Sequence, residues 1–378
     1  MGAHPPSWYL GLWGNLPAKA WLGALLALVM VAVLVPLLRP AAVRLGLTDH
    51  PGGRKQHALP TPMHGGLCIL LAMVINAAIF NDLRSSAMAA FYLGGGLLLL
   101  VGVVDDRFDL NWKLRIGAQA IAAVIMMYIG GVSVQQLADV VGVHAFSIGI
   151  LSLPVTVFVV VGMINALNMS DGVDGLAGGQ ALVSILLFAC FALYAGNVLT
   201  AERLLTTAGA IVGFLVWNMR RPGLPRAKVF LGDAGSTVLG FMIAWTSIRL
   251  SQNPLHPVSP VLGPWTIAIP LVDCCALIVR RWRQGRSPFA ADRDHIHHLL
   301  LDAGYSPRTV TLGLMAVSAV LGLSAAVALK LGIYRPLLVL LFFGLIGLHY
   351  RLTADRDRAV AFLRRLPLAR RRAAADPA

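Results

Sequence analysis

Eleven apolar stretches, at 20–39, 65–81, 87–104, 115–130, 149–167, 178–195, 204–219, 235–249, 262–281, 309–329 and 334–350, leave this chain few ways to fold. A helix of about 20 apolar residues matches the hydrocarbon thickness of a bilayer. The sequence therefore predicts an all-α, polytopic membrane bundle of about eleven transmembrane helices, the second and fourth stretches being the short ones. Composition agrees, with 57% hydrophobic residues and 13% charged, against about 25% charged in a soluble domain. Mean hydropathy is +0.75. Residues 1 to 18 contain no Lys or Arg and the run that follows is long enough to span, so a membrane segment is expected there rather than a cleaved signal peptide. Cys68, Cys190, Cys274 and Cys275 all lie in apolar segments, which points away from a disulfide framework or a zinc site. No internal repeat is visible. The expected organisation is one transmembrane catalytic domain over 1–350 and a basic cytoplasmic tail over 351–378.

The net charge of +14 would suggest nucleic acid for a soluble protein. Here the positive-inside rule accounts for it, and no nucleic-acid partner is expected. With the N-terminus outside, 25 of the 31 Lys and Arg fall on cytoplasmic loops and the tail; the outer side keeps Lys19, Arg84, Arg203, Arg249, Lys330 and Arg335. That ratio places the C-terminus in the cytoplasm. Acidic residues have little influence on topology, so their positions are free to report function. Asp82, Asp139 and Glu202 fall outside, whereas Asp49, Asp105, Asp106, Asp109, Asp171, Asp174, Asp233, Asp292 and Asp294 gather at cytoplasmic loops and span ends. The chemistry is expected on the cytoplasmic face.

The richest stretch is M-I-N-A-L-N-M-S-D-G-V-D-G-L-A-G-G, from Met163 to Gly179. Asn165, Asn168, Asp171 and Asp174 recur every three residues, and on a helical turn would project toward one side. Amide and carboxylate oxygens in that arrangement suit a hard cation carrying phosphates; the bland alternative is a glycine-rich turn with capping residues. Asp105 and Asp106 end an apolar span, and their repulsion asks for a cation or a shared proton between them. Asp109 follows four residues after Asp105, as in D-D-x-x-D metal motifs, and a solvated helix cap is the competing reading. Lys113 and Arg115 could hold an anion at headgroup depth. Arg54 and Lys55, beside Gly52 and Gly53, could grip a phosphate or simply mark a positive-inside loop. Asp233, between two glycines, precedes the eighth span, where an anion would be favoured or an N-cap would suffice. Arg293, His295, His297 and His298 could bind zinc or a pyrophosphate; the carboxylate-rich surroundings favour magnesium, with His and Arg left to neutralise phosphates. Asp273, inside an apolar segment, reads as a structural hydrogen-bond partner more than a catalytic group.

In order, R-K-Q-H, D-D-R-F-D, N-A-L-N-M-S-D-G-V-D-G-L, F-L-G-D-A-G-S and S-P-F-A-A-D-R-D-H-I-H-H resemble the polyprenyl-phosphate N-acetylhexosamine-1-phosphate transferases, and most nearly the bacterial WecA-type, undecaprenyl-phosphate N-acetylglucosamine-1-phosphate group. The resemblance runs from about Leu45 to Leu352; an A-A-D where many relatives carry a proline is a minor departure. It implies transfer of N-acetylglucosamine 1-phosphate from UDP-N-acetylglucosamine to undecaprenyl phosphate, with UMP leaving, as the first membrane step of O-antigen or related glycan synthesis. It also implies Mg2+, for which Mn2+ can substitute, and a bacterial inner-membrane location with the active site facing the cytoplasm. Asp105 and Asp106 match the family's paired aspartates, one proposed as the base that deprotonates the lipid phosphate. Asn168 and Asp233 match metal-holding positions, Asp171 and Asp174 match catalytic or nucleotide-contacting ones, and Arg293 and His295 match residues that touch the pyrophosphate. The implied partners are a UDP-sugar, undecaprenyl phosphate and the lipid bilayer, with a homodimer left open. A different UDP-N-acetylhexosamine or a UDP-muramyl peptide is the rival donor. A secondary transporter is the rival class, disfavoured because no repeat is visible and the charged groups stay in loops.

Overall fold

The computed structural model describes residues 11–14, 16–49, 60–80, 82–137, 140, 147–255, 257–287 and 293–365. Each of the apolar stretches is helical. The long helices are α1 (Ala18–Arg44), α2 (Gly65–Ile79), α3 (Ser86–Phe108), α4 (Trp112–Tyr128), α5 (Ser152–Met169), α6 (Leu176–Tyr194), α7 (Val198–Asn218) and α8 (Gly232–Ser251). The ninth stretch is broken at Ile267 into α9 (Leu262–Thr266) and α10 (Ala268–Arg283), and α11 (Ile296–Asp302), α12 (Pro307–Lys330), α13 (Arg335–Thr353) and α14 (Arg356–Arg364) follow. Seven of these helices (α1, α3, α5 with the turn before it, α6, α7, α12 and α13) are long and apolar enough to cross a membrane. The protein is a polytopic helical membrane protein.

The bundle is organised around α8. Its buried face runs all the way round, from Ala234 through Ile248, as expected of a helix that is apolar on every side. It packs against α2, α3, α5 and α6, and Phe91 of α3 meets Phe241 and Trp245 of α8 at ring-centroid distances of 6.2 and 5.4 Å. The outer helices are different. On α1, Leu22, Leu25, Val29, Val33 and Leu37 form one exposed stripe at helical spacing, which is the surface that lipid covers. Seating α8 in the centre sets its N-terminus, and the backbone N–H groups there, at the middle of one end of the bundle.

A short hairpin pairs β1 (Thr48–Asp49) with β2 (Thr61–Pro62) in antiparallel register. It docks beside α8 through Phe230 N to Pro62 O at 2.8 Å and Gly65 N to Phe230 O at 3.1 Å. The loop that it closes, with Arg54 and Lys55, lies outside the described residues. At the other end of the sequence, where a basic tail is expected from 351 onward, α13 continues to Thr353 and α14 folds back onto α11. Tyr305 Oη donates to Leu363 O at 3.1 Å across that contact.

Candidate active site: an acidic cluster at the N-terminus of the central helix

Asp105 and Asp106 close α3, and consecutive helical residues point about 100° apart. They consequently separate rather than share one cation or proton. Asp105 is buried, taking Leu110 N at 2.8 Å and Arg115 Nη1 at 3.0 Å. Asp106 sits on the α8 N-terminus, accepting from Asp233 N at 2.8 Å and Ala234 N at 3.3 Å. This seat requires glycine at 232, where φ is +73° and a Cβ would stand 2.5 Å from Asp106 Oδ2. Asp109 leaves the helix in a left-handed conformation, φ 51°, as its C-cap, so it does not continue the face of Asp105.

Asp233 opens α8. Its Oδ1 accepts from Asn168 Nδ2 at 2.6 Å, the same amide reaching Ser236 Oγ at 2.8 Å, and its Oδ2 is 3.6 Å from Arg115 Nη1. Arg115 thereby bridges Asp105 and Asp233 rather than pointing away to the headgroups. Lys113 is exposed, with Nζ 5.8 Å from the centroid of the Trp112 ring. The spacing by three breaks down after Met169, where α5 ends. Asn165 turns to Gln119 Oε1 at 2.6 Å, away from Asn168, and Asp171 and Asp174 stand on the loop that follows. Asp174 is anchored by Arg220 Nε at 2.7 Å and Ala227 N at 3.2 Å, neither of which the motif reading singled out.

Asp171 has no hydrogen bond or ion pair to its carboxylate among the described residues. Its side chain is exposed to water, although protein is packed around it. That crowding, with the carboxylates of Asp233, Asp106 and Asp174 nearby, pushes its pKa up to about 8. No counter-cation among the described residues reaches it. The oxygen donors of Asp171, Asp233 and Asn168, with Asp106 behind them, fit a hard divalent ion.

The histidine segment lies against this loop. A Cβ at Gly172 would stand 2.3 Å from His297 Nε2, so the ring lies on the Gly172 backbone next to Asp171. The His295 and His297 rings stack at 5.3 Å, and His298 lies 4.3 Å from His297. Burial lowers the pKa of His297 well below the usual value and that of His298 to about 4. Both rings are therefore neutral near pH 7, hydrogen-bonding groups rather than the cations expected to neutralise phosphate. Asp273 lies beneath them, buried, with His295 Nδ1 at 2.8 Å, His349 Nε2 at 3.0 Å and Ile296 N at 3.1 Å. The ligand atoms of Asp273, His295 and His297 all fall within 4.8 Å of one another, so this nitrogen-rich group could also hold a metal ion. Arg293 is 3.6 Å from Asp302, and its carbonyl accepts from Arg356 Nη1 at 2.5 Å; Arg356 also pairs with Asp302 and with Asp294. His349 and Arg356 lie on helices past every motif, where the sequence alone carries no signal for them.

A model of the family described as glycosyl transferase family 4 matches residues 88–251, the segment from α3 through α8. An undecaprenyl-phosphate alpha-N-acetylglucosaminyl 1-phosphate transferase of Yersinia pestis is 35% identical over 336 residues, 89% of this chain and 92% of its own length. Proteins of the same name from Escherichia coli and Haemophilus influenzae are 36% identical over 310 residues and 35% over 301, with 83% and 82% of their lengths covered. Identity at that level over nearly the whole length of such relatives settles the grouping: the chain belongs to glycosyl transferase family 4.

Proposed function

We propose that this protein transfers N-acetylglucosamine 1-phosphate from UDP-N-acetylglucosamine to undecaprenyl phosphate, releasing UMP. The reading places the reaction at the cytoplasmic face of a bacterial inner membrane and makes it dependent on Mg2+ or Mn2+. The observation that carries it is the unpaired Asp171 among Asp106, Asp174 and Asp233 at the end of α8. The names of the relatives supply the donor and acceptor.

The reaction joins two anions, so the site must cancel their repulsion and align them. A divalent cation bound by Asp233 and Asn168 would neutralise the pyrophosphate and its leaving UMP. Asp106 accepts from two backbone N–H groups and so stiffens the α8 N-terminus. Asp105 holds Arg115, which in turn sets the position of Asp233. Among the described residues Asp171 has no fixed partner, so it is the carboxylate free to take the proton of the lipid phosphate, a role that fits it better than the engaged Asp105 or Asp106. His295, oriented by Asp273, and the neutral His297 offer hydrogen bonds to the donor's phosphates, and Arg293 offers charge. Purified protein supplied with undecaprenyl phosphate and a panel of UDP-sugars tests this reading. UMP release should require both substrates and be fastest with UDP-N-acetylglucosamine; release with a UDP-muramyl peptide alone would replace the donor, and flux without chemistry would replace the enzyme.

A further inference from the structure

A cavity of about 140 Å³ lies at the other end of the bundle, walled by α1, α2, α3, α7 and α8. Asp233 and Arg249 stand at the two ends of α8, and at ~1.5 Å of rise per residue the cavity lies roughly 24 Å from the acidic cluster. Phe91, Met242 and Trp245 give it an apolar floor, and its rim is charged. Two ion pairs on that rim are complete. Arg203 holds Asp82 through Nε to Oδ2 at 2.8 Å and Nη2 to Oδ1 at 2.5 Å, and Lys19 Nζ lies 3.0 Å from Glu202 Oε2. The hydroxyls of Thr206, Thr207 and Thr246 donate to carbonyls one turn earlier, and Tyr92 Oη donates to Met73 O. Arg249 is the exception. It is half-buried and has no hydrogen bond or ion pair among the described residues.

Three cations therefore face two carboxylates, and the surplus charge belongs to a guanidinium set over an apolar chamber. Withdrawing a charge from water without a partner is costly. The helix dipole favours a cation in the last turn of α8, but it does not explain why this one lines a cavity. Of the few basic residues on this face of the protein, Lys19, Arg203 and Arg249 all meet at one place. We propose that the cavity binds a phosphate-bearing anion, with Arg249 taking the phosphate through its planar set of donors and the apolar floor taking adjoining hydrocarbon. An anionic lipid headgroup of the leaflet opposite the acidic cluster has both parts, whereas free phosphate has only the first. The volume suits a headgroup and not a whole lipid, since a cavity of about 150 Å³ is filled by one benzene.

Native mass spectrometry of the purified full chain, titrated with phosphatidylglycerol or phosphatidylcholine, tests the site. Phosphatidylglycerol should bind at least tenfold more tightly, and Arg249→Gln should remove that preference without changing transferase activity at saturating substrates. Glu202→Gln, which releases Lys19, should tighten phosphatidylglycerol binding. Displacement of the lipid by millimolar inorganic phosphate assigns the site to the anion alone; lipid that stays bound assigns it to the headgroup with its chain. Either result supports an anion site. Equal affinity for the two lipids with no phosphate binding, or a preference unchanged in both variants, overturns it. If Arg249→Gln does not fold, Glu202→Gln decides, because affinity that fails to rise contradicts the surplus-charge argument.

Discussion

Asp171 and Asp273 lie on either side of His297 and live in opposite surroundings. Asp273 is buried and engaged by two histidines and a backbone N–H, so every element around it is fixed in place. Asp171 is reached by water and has no hydrogen bond or ion pair to its carboxylate among the described residues; the protein packed around it, and then the carboxylates of Asp233, Asp106 and Asp174, raise its pKa to about 8. A fold optimised only for stability would not keep the second arrangement. Unsatisfied acids are tolerated where a cation and an anionic substrate complete them. The two carboxylates thus differ in what holds them: Asp273 ties the histidine segment to its neighbours, whereas Asp171 is left open to a cation or substrate.

Substitutions at the two sites should fall into different classes. The largest effect is expected at the acidic cluster, where Asp233→Asn or Asp171→Asn should lower the rate of UMP release by orders of magnitude in protein that still inserts and folds. Asp171→Asn should also stabilise the cation-free protein. The folded-state pKa near 8 lies above the unfolded value of about 3.9, so between these pH values the native state holds a proton that the unfolded state has lost, and stability falls as pH rises. Melting temperatures in chelator should therefore favour the variant more at pH 8 than at pH 5. A variant no more stable than wild type at either pH would mean that Asp171 carries no such strain.

Asp273→Asn should do the reverse, destabilising the protein while activity falls along with the order of the histidine segment. It weakens hydrogen bonds to a charged group, each contributing about 1.5–3 kcal/mol. An unchanged melting temperature would remove Asp273 from its structural role. Smaller effects are expected at the arginines. Arg293→Ala should weaken handling of the UDP-sugar by about tenfold and leave the KM for undecaprenyl phosphate unchanged, with Arg115→Ala showing the opposite preference. Steady-state kinetics with each substrate varied in turn decides it, and an Arg293→Ala change confined to the lipid KM would move the histidine segment off the nucleotide. The smallest effect concerns His298, whose folded pKa of about 4 lies below its unfolded value near 6.5. The unfolded state takes up the proton first, so stability should decline as pH falls from about 6.5 to about 4, and His298→Gln should flatten that part of the curve.

The membrane architecture was legible because apolar length needs no tertiary knowledge: each stretch read from sequence is helical. What escaped depends on contacts between distant segments. The ninth stretch reads as one run, yet it breaks at Ile267, where φ −115° and ψ 32° leave the helical region between Pro264 and Pro270. Spacing by three suggested one face for Asn165 to Asp174, but α5 ends at Met169. D-D-x-x-D suggested a shared face for Asp109, which instead caps α3 in a left-handed conformation. The place of Asp273 inside an apolar segment marks it as a structural hydrogen-bond partner, while its own partner, His349, sits on α13 with no local signature. Neutral His297 and His298 follow from packing that no motif records.

The central claim is that the acids at the end of α8 hold a divalent cation that the transfer requires. Its most direct measurement is UMP release by purified protein with UDP-N-acetylglucosamine and undecaprenyl phosphate, in excess chelator and on adding back Mg2+ or Mn2+, for wild type and Asp233→Asn. The account predicts no turnover in chelator, recovery by wild type with either ion, and no comparable recovery by the variant. Full wild-type turnover in excess chelator would contradict it.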